Sequence, residues 1–118
     1  MERGFSLIEL LVTLAIVSVL TAIAVPQFQE YRKQAYDARA RSDLRNVAIA
    51  QEAYFVGAEH YLSCSNGSCT NLPGIPALSK GVTLAITATT TAFVGNSTHP
   101  NGSGKVFQWD SAKGGLLN

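Results

Sequence analysis

The sequence predicts an α+β fold, with one long N-terminal α-helix packed on a small antiparallel β-meander. Three observations carry that prediction. A helical pattern runs from near the amino terminus to about Gly57, uncharged over Leu10–Gln29 and amphipathic beyond it. Val82–Thr89 alternates apolar with polar or small residues, as a half-buried strand does, and further strand signals follow it. The connections between those signals are short, which makes a meander their natural topology. The chain has 118 residues, enough for one domain and not comfortably for two. Charged residues make up 14% of it, against the usual quarter or so, and the net charge is +1. That balance excludes a charged disordered tail and gives no reason to expect a nucleic-acid partner.

The helix begins with its least soluble part. Leu10–Gln29 carries no charged residue. At about 1.5 Å per residue such a run reaches roughly 30 Å, the thickness of a bilayer's hydrocarbon core. Apolar residues surround the whole helix here and do not form a stripe, as in lipid or a fully buried helix. The run has three competing origins: a permanent membrane anchor, a cleaved secretory signal, or a filament-forming helix that first visits the membrane. Ala22-Ile23-Ala24, downstream of Arg3, supports secretory cleavage after Ala24. Glu9 opposes it, because a carboxylate near the middle of a membrane helix costs roughly 2.5–3.5 kcal/mol and marks function by default.

Arg3-Gly4-Phe5-Ser6-Leu7-Ile8-Glu9-Leu10-Leu11, followed by the apolar run and Pro26, resembles the class III signal of type IV pilins and their pseudopilin relatives. The resemblance implies that a prepilin peptidase cuts after Gly4 and N-methylates Phe5. It divides the chain into a leader (1–4), a transmembrane and filament-core helix (5–30), an amphipathic helix (31–60) and a globular domain (61–118), together a ladle. The implied partners are that peptidase and N-methyltransferase, the inner-membrane pilus assembly machinery, and further copies of the chain in a helical filament. The implied location is the bacterial inner membrane for the precursor, then a periplasm-spanning or surface filament. The readings set against a pilus subunit are a pseudopilin of a type II secretion or competence system, and a soluble periplasmic binding module released after Ala24.

Physics supplies a reason for the motif. Cleavage after Gly4 leaves an ammonium on Phe5, and methylation keeps its charge. Glu9 would be costly if unpaired inside a bundle of apolar helices. The Phe5 ammonium of an adjacent subunit can neutralise it, and the resemblance implies that matching the two charges sets axial register. One count points the other way. Arg32, Lys33, Arg39, Arg41 and Arg45 follow the run, while Arg3 precedes it, so the positive-inside rule favours the opposite orientation.

Pro26 removes a helical donor and is expected to kink or locally open the helix, making Ser18–Pro26 a candidate hinge. Beyond it, Leu44, Val47, Ala48, Phe55 and Ala58 form one stripe suited to packing on a sheet. Asp37 and Arg41 stand at the favourable i, i+4 spacing for an ion pair. Tyr31, Tyr36, Tyr54, Phe55 and Tyr61 read as packing aromatics. Gly57 is the expected stop, with continuation to His60 as the alternative.

In the globular part Cys64 and Cys69 flank Ser65-Asn66-Gly67-Ser68, a tight-turn signal that can bring the sulfurs together. In an exported small domain the pair reads as a disulfide. A metal site of His60, Cys64 and Cys69 is the alternative, lacking a fourth ligand. The short spacing departs from pilins whose disulfide brackets a large C-terminal loop. Strands are expected at Val82–Thr89, Thr91–Thr98 and Lys105–Asp110, with a short fourth near Gly114–Leu117, and His99-Pro100 is read as part of a turn. Spacing supports no catalytic group among His60, His99, Glu59 and Asp110, no nucleotide motif and no cofactor. The chain is expected to be a substrate of enzymes and not itself one.

Overall fold

The computed structural model describes residues 3–118; Met1 and Glu2, which belong to the expected leader, lie outside the described residues. Helix α1 spans Leu7–Ala58. Five strands follow: β1 (Cys64–Ser65), β2 (Thr83–Ala88), β3 (Phe93–Thr98), β4 (Phe107–Asp110) and β5 (Gly115–Leu116). They form one sheet in the order β1-β2-β3-β4-β5, with every neighbouring pair antiparallel. The expected α+β class and the meander are therefore present. The chain divides into two compact units between Arg32 and Lys33, and each has its own physics.

In the first unit the helix is helical without interruption through Pro26. Its apolar side chains stand exposed from Leu7 to Phe28, with Leu10, Leu14, Val19 and Ile23 all more than half accessible. The hydroxyls within the run satisfy themselves. Thr13 Oγ1, Ser18 Oγ and Thr21 Oγ1 each donate to the carbonyl one turn earlier, on Glu9, Leu14 and Val17, at 2.7 Å. Such back-bonding leaves no hydroxyl seeking water, which an apolar solvent requires.

In the second unit the core lies between α1 and the inner face of the sheet. Ala40, Leu44, Val47, Ala48 and Ala50 face Leu84, Ile86, Phe93 and Phe107, with Leu72 and Ile75 of the connection closing one side. Of the expected stripe, Leu44, Val47 and Ala48 are buried, while Phe55 and Ala58 are half-buried. β2 alternates as the sequence predicts, with Val82, Leu84 and Ile86 inward. The inner face of β3 is Phe93, Gly95 and Ser97. A Cβ on Gly95 would meet Ile86 Cδ1, and would lie 3.1 Å from Leu44 Cδ1, so helix and strand approach this closely only because the position is glycine.

Several element bounds differ from expectation. Helix α1 ends at Ala58, one residue past Gly57, where Glu59 turns to φ 59° and donates its N–H to Phe55 O at 2.8 Å. The segment read as a plain cysteine turn is a strand and a 3₁₀ helix (Asn66–Asn71): Cys64 pairs with Ile86 and Ser65 with Ala85. Asn66 at φ 48° makes the sharp bend that its Asn-Gly signal implied. β3 starts at Phe93 and not at Thr91, because Thr89 and Ala92 close the hairpin by mutual hydrogen bonds. β4 starts at Phe107, with Val106 exposed. β5 is confined to two residues because Gly114, at φ 90°, ends a 3₁₀ turn.

Candidate processing and assembly site

The sequence motif lies where the chain enters α1. Residues 3–6 are not helical, and Phe5 is 90% exposed. Gly4 has open space around its Cα and no positive φ, so its own fold places no demand for glycine there. Ser6 is the N-cap. Its Oγ accepts the Glu9 N–H at 3.2 Å, and Glu9 Oε2 accepts the Ser6 N–H at 3.2 Å. Leu10 N–H then closes the first helical turn on Ser6 O at 3.2 Å. This reciprocal pair is a capping box, which satisfies two of the donors that a helix start leaves over. Glu9 therefore has a local role that the charge argument missed, although Ser6-x-x-Glu9 spelled it out. The carboxylate lies at the positive end of the helix and is bonded to the amide next to Phe5, so the cluster Phe5, Ser6, Glu9 concentrates opposite charges once a terminal ammonium exists.

Pro26 sits inside α1 with no N–H for Ala22 O, four residues earlier. Ser18 and Thr21, the other members of the expected hinge, have their hydroxyls turned onto the helix backbone.

Cys64 and Cys69 are joined, with S–S 2.05 Å and Cα–Cα 5.0 Å. Both sulfurs are consumed, which removes the His60, Cys64, Cys69 metal alternative; His60 Nδ1 instead lies 3.0 Å from Ala58 O. Ser63 Oγ accepts Ala88 N–H and Asn66 Oδ1 accepts Leu84 N–H, each at 2.9 Å, extending the two-residue β1 ladder at both ends.

Polar side chains also clasp helix to sheet, and sequence reasoning found none of them. Gln51 is fully buried, its amide donating to Leu62 O and accepting Leu62 N–H at 2.9 Å. Asp43 accepts from Ser79 N–H at 2.7 Å and Ser79 Oγ at 2.9 Å. Ser97 Oγ donates to Ala40 O at 2.6 Å. Asp37, which i+4 spacing offered to Arg41, accepts instead from Ser103 N–H at 3.1 Å and Ser103 Oγ at 2.6 Å. The imidazole of His99 is buried beneath the turn assigned to it. It accepts Asn101 N–H at Nδ1 and places Nε2 3.1 Å from Lys80 O, an arrangement that fits the neutral Nε2–H tautomer. Its ring stacks on Tyr36 at 4.4 Å. Among the described residues both imidazoles are engaged with backbone groups. The Tyr61 phenol is pushed above its ordinary value, by partial burial first, then by the charge of Glu52 and the hydrogen bond its carboxylate accepts at 3.2 Å.

Comparison with known proteins agrees with this picture. Residues 1–25 match the prokaryotic N-terminal methylation motif. The chain is 30% identical to the type IV major fimbrial protein FimA of Dichelobacter nodosus over an alignment of 129 positions, covering 92% of this chain and 81% of that one. It is 34% identical over 65 residues to the type IV major pilin protein PilA of Myxococcus xanthus, covering 55% of this chain. There the match spans only 30% of the relative's length. It is also 30% identical over 79 residues to the type II secretion system core protein G of Escherichia coli, covering 65% of this chain and 54% of the relative.

Proposed function

The chain belongs to the type IV pilin family, and from that premise we propose that it is the structural subunit of a type IV pilus-like filament. It is made as a precursor in the inner membrane, cut by a prepilin peptidase after Gly4, methylated on Phe5 and polymerised through its N-terminal helix. In this reading residues 1–4 are the leader, 5–30 the membrane and filament-core helix, 31–60 the amphipathic helix and 61–118 the globular domain. The observation that carries the reading is an uncharged, exposed helical run whose start holds Gly4, Phe5 and Glu9 in one short cluster. A subunit leaving lipid gains little from the hydrophobic effect, because acyl chains are as apolar as leucine. Packing and charge pairing must then hold the bundle together, which gives Glu9 and the Phe5 ammonium of a neighbour their role in register. Pro26, with Ser18 and Thr21, is the place where the helix yields on assembly. Substrate status toward the processing enzymes, and no catalysis of its own, completes the reading.

The likeness to a type II secretion core protein favours a pseudopilin as the second reading. Against it, Asp110 is the only acid after Glu59, so the C-terminal half lacks the carboxylates of a calcium-binding loop. Mass analysis of the mature amino terminus tests the processing step. A start at methyl-Phe5 is expected; a start at Val25 identifies a released soluble module, and retained Met1 a plain anchor. Glu9→Ala tests assembly: a processed, membrane-inserted subunit with at least roughly tenfold less filament is expected, since an uncompensated pairing partner is worth over 1.4 kcal/mol. Filaments at wild-type yield would remove the register argument. Imaging of those filaments, and whether they reach the cell surface, separates pilus from pseudopilus.

A further inference from the structure

Two Asn-Gly pairs stand in the globular unit, Asn66-Gly67 and Asn101-Gly102, and by sequence alone they are equivalent. We propose that the fold makes Asn101-Gly102 a site of spontaneous covalent modification through a succinimide, while protecting Asn66-Gly67. The chemistry needs no enzyme. The Gly102 nitrogen attacks the Asn101 side-chain carbonyl carbon, a nitrogen–carbon bond forms, and the side-chain nitrogen leaves as ammonia with the proton from the Gly102 amide. Water then opens the five-membered imide at either carbonyl, giving aspartate or isoaspartate at position 101. Glycine after the asparagine matters because, without a Cβ, it neither blocks the attack nor restricts the turn.

Three differences separate the sites. Both asparagines are exposed, but the Asn101 side chain has no hydrogen-bond partner among the described residues, so its carbonyl carbon is free to rotate toward Gly102 N. Asn66 uses its side-chain oxygen to accept Leu84 N–H at 2.9 Å, continuing the ladder of β1. Secondly, Asn101 lies in a turn between β3 and β4, whereas Asn66 opens a 3₁₀ helix that contains one half of the disulfide. Thirdly, freeing the attacking nitrogen at Gly102 requires one turn bond to open, its N–H to His99 O at 3.0 Å. Such local opening costs far less than global unfolding. At Asn66 ring closure must instead break the side-chain anchor to Leu84 N–H and distort a helix tied at Cys69.

The product also has a predictable site of damage. The isoaspartate route carries the main chain through the former side chain and adds a methylene between His99, which holds Asn101 N–H, and Ser103, which is fastened to Asp37. There is no slack for it, since even a Cβ on Gly102 would meet Asp37 Oδ1. A new carboxylate close to Asp37 adds like-charge repulsion. Ageing at this residue therefore loosens the clasp between helix and the β3–β4 turn.

The experiment incubates the full chain in detergent at mildly alkaline pH and follows the amide-to-acid mass gain at both residues by peptide mapping. Conversion at Asn101 is expected to run roughly tenfold faster than at Asn66, the factor one additional side-chain hydrogen bond is worth. Equal rates, faster conversion at Asn66, or no conversion at Asn101 over a period in which the urea-unfolded chain converts would overturn the proposal. In urea the two residues should convert alike, and a preference that persists there would place its origin outside the fold and also overturn it. Ser103→Ala, which removes one bond to Asp37, is expected to speed conversion at Asn101 severalfold and leave Asn66 unchanged. An unchanged rate at Asn101 would defeat the loop-opening argument.

Discussion

Gln51 and Gly95 show how much a single side chain contributes when backbone depends on it. Gln51→Ala leaves Leu62 N–H and C=O without the amide that holds both, each such loss worth about 1–3 kcal/mol if no water replaces it. Thermal or denaturant unfolding of the variant should show a loss near that size, and Gln51→Leu should not restore it. Gly95→Ala forces a methyl against Ile86 and Leu44 and is expected to destabilise by roughly 1–3 kcal/mol, read by the same melt. The Glu52–Tyr61 contact makes a pH prediction. With its folded pKa raised, Tyr61 contributes stability that is intact below about pH 10, the ordinary phenol value, and lost as pH climbs through the raised one. Tyrosinate absorbance in Glu52→Gln should titrate earlier than in the parent chain. Neither Gln51 nor Gly95 was legible beforehand. A glutamine among apolar helix positions and a glycine in a strand look like blemishes until the backbone they serve is known. Glu9 was conspicuous because a charge bordering an uncharged run stands out, yet its bond to Ser6 was overlooked in a pattern that names it.

At the scale of elements, legibility followed length. The long helix and the six-residue strands β2 and β3 repeat their periods often enough to be read, and their alternation placed Leu84 and Ile86 correctly inward. β1 and β5 hold two residues each, too few to show any period. β1 persists because Ser63 and Asn66 lend side-chain oxygens to its ladder and because the disulfide fixes its start. The bridge joins residues only five apart, so the loop-closure model places its contribution at the low end, about 2 kcal/mol. Changing both cysteines to serine should cost somewhat more than that, because Cys69 is fully buried and would leave a hydroxyl in the core. Chemical denaturation of the double variant measures it, and unchanged stability would count against the bridge as a staple.

For the whole molecule, charge content pointed to two unlike parts before any coordinates did. The division between Arg32 and Lys33 has a testable corollary: among the described residues every buried one lies beyond it, so the fragment 33–118 should melt cooperatively without the apolar run. The family was readable from some twenty-five residues at the start and the fold class from the periods of the helix and strands, whereas the clasps that fasten the helix were not, since their partners lie far apart in the chain. That separation governs the order in which the molecule is made. Each strand pairs with its successor, and from β2 onward the connections are short, so that part of the sheet can zip in microseconds to milliseconds. The bond from Ser97 to Ala40 spans 57 residues and that from Ser103 to Asp37 spans 66, and both must wait until the hairpins exist. Removing the Ser97 hydroxyl should therefore accelerate unfolding and barely alter the folding rate. A chain whose helix is already formed thus acquires its sheet first and its fastening last, and in the interval the globular unit is the part most open to a protease.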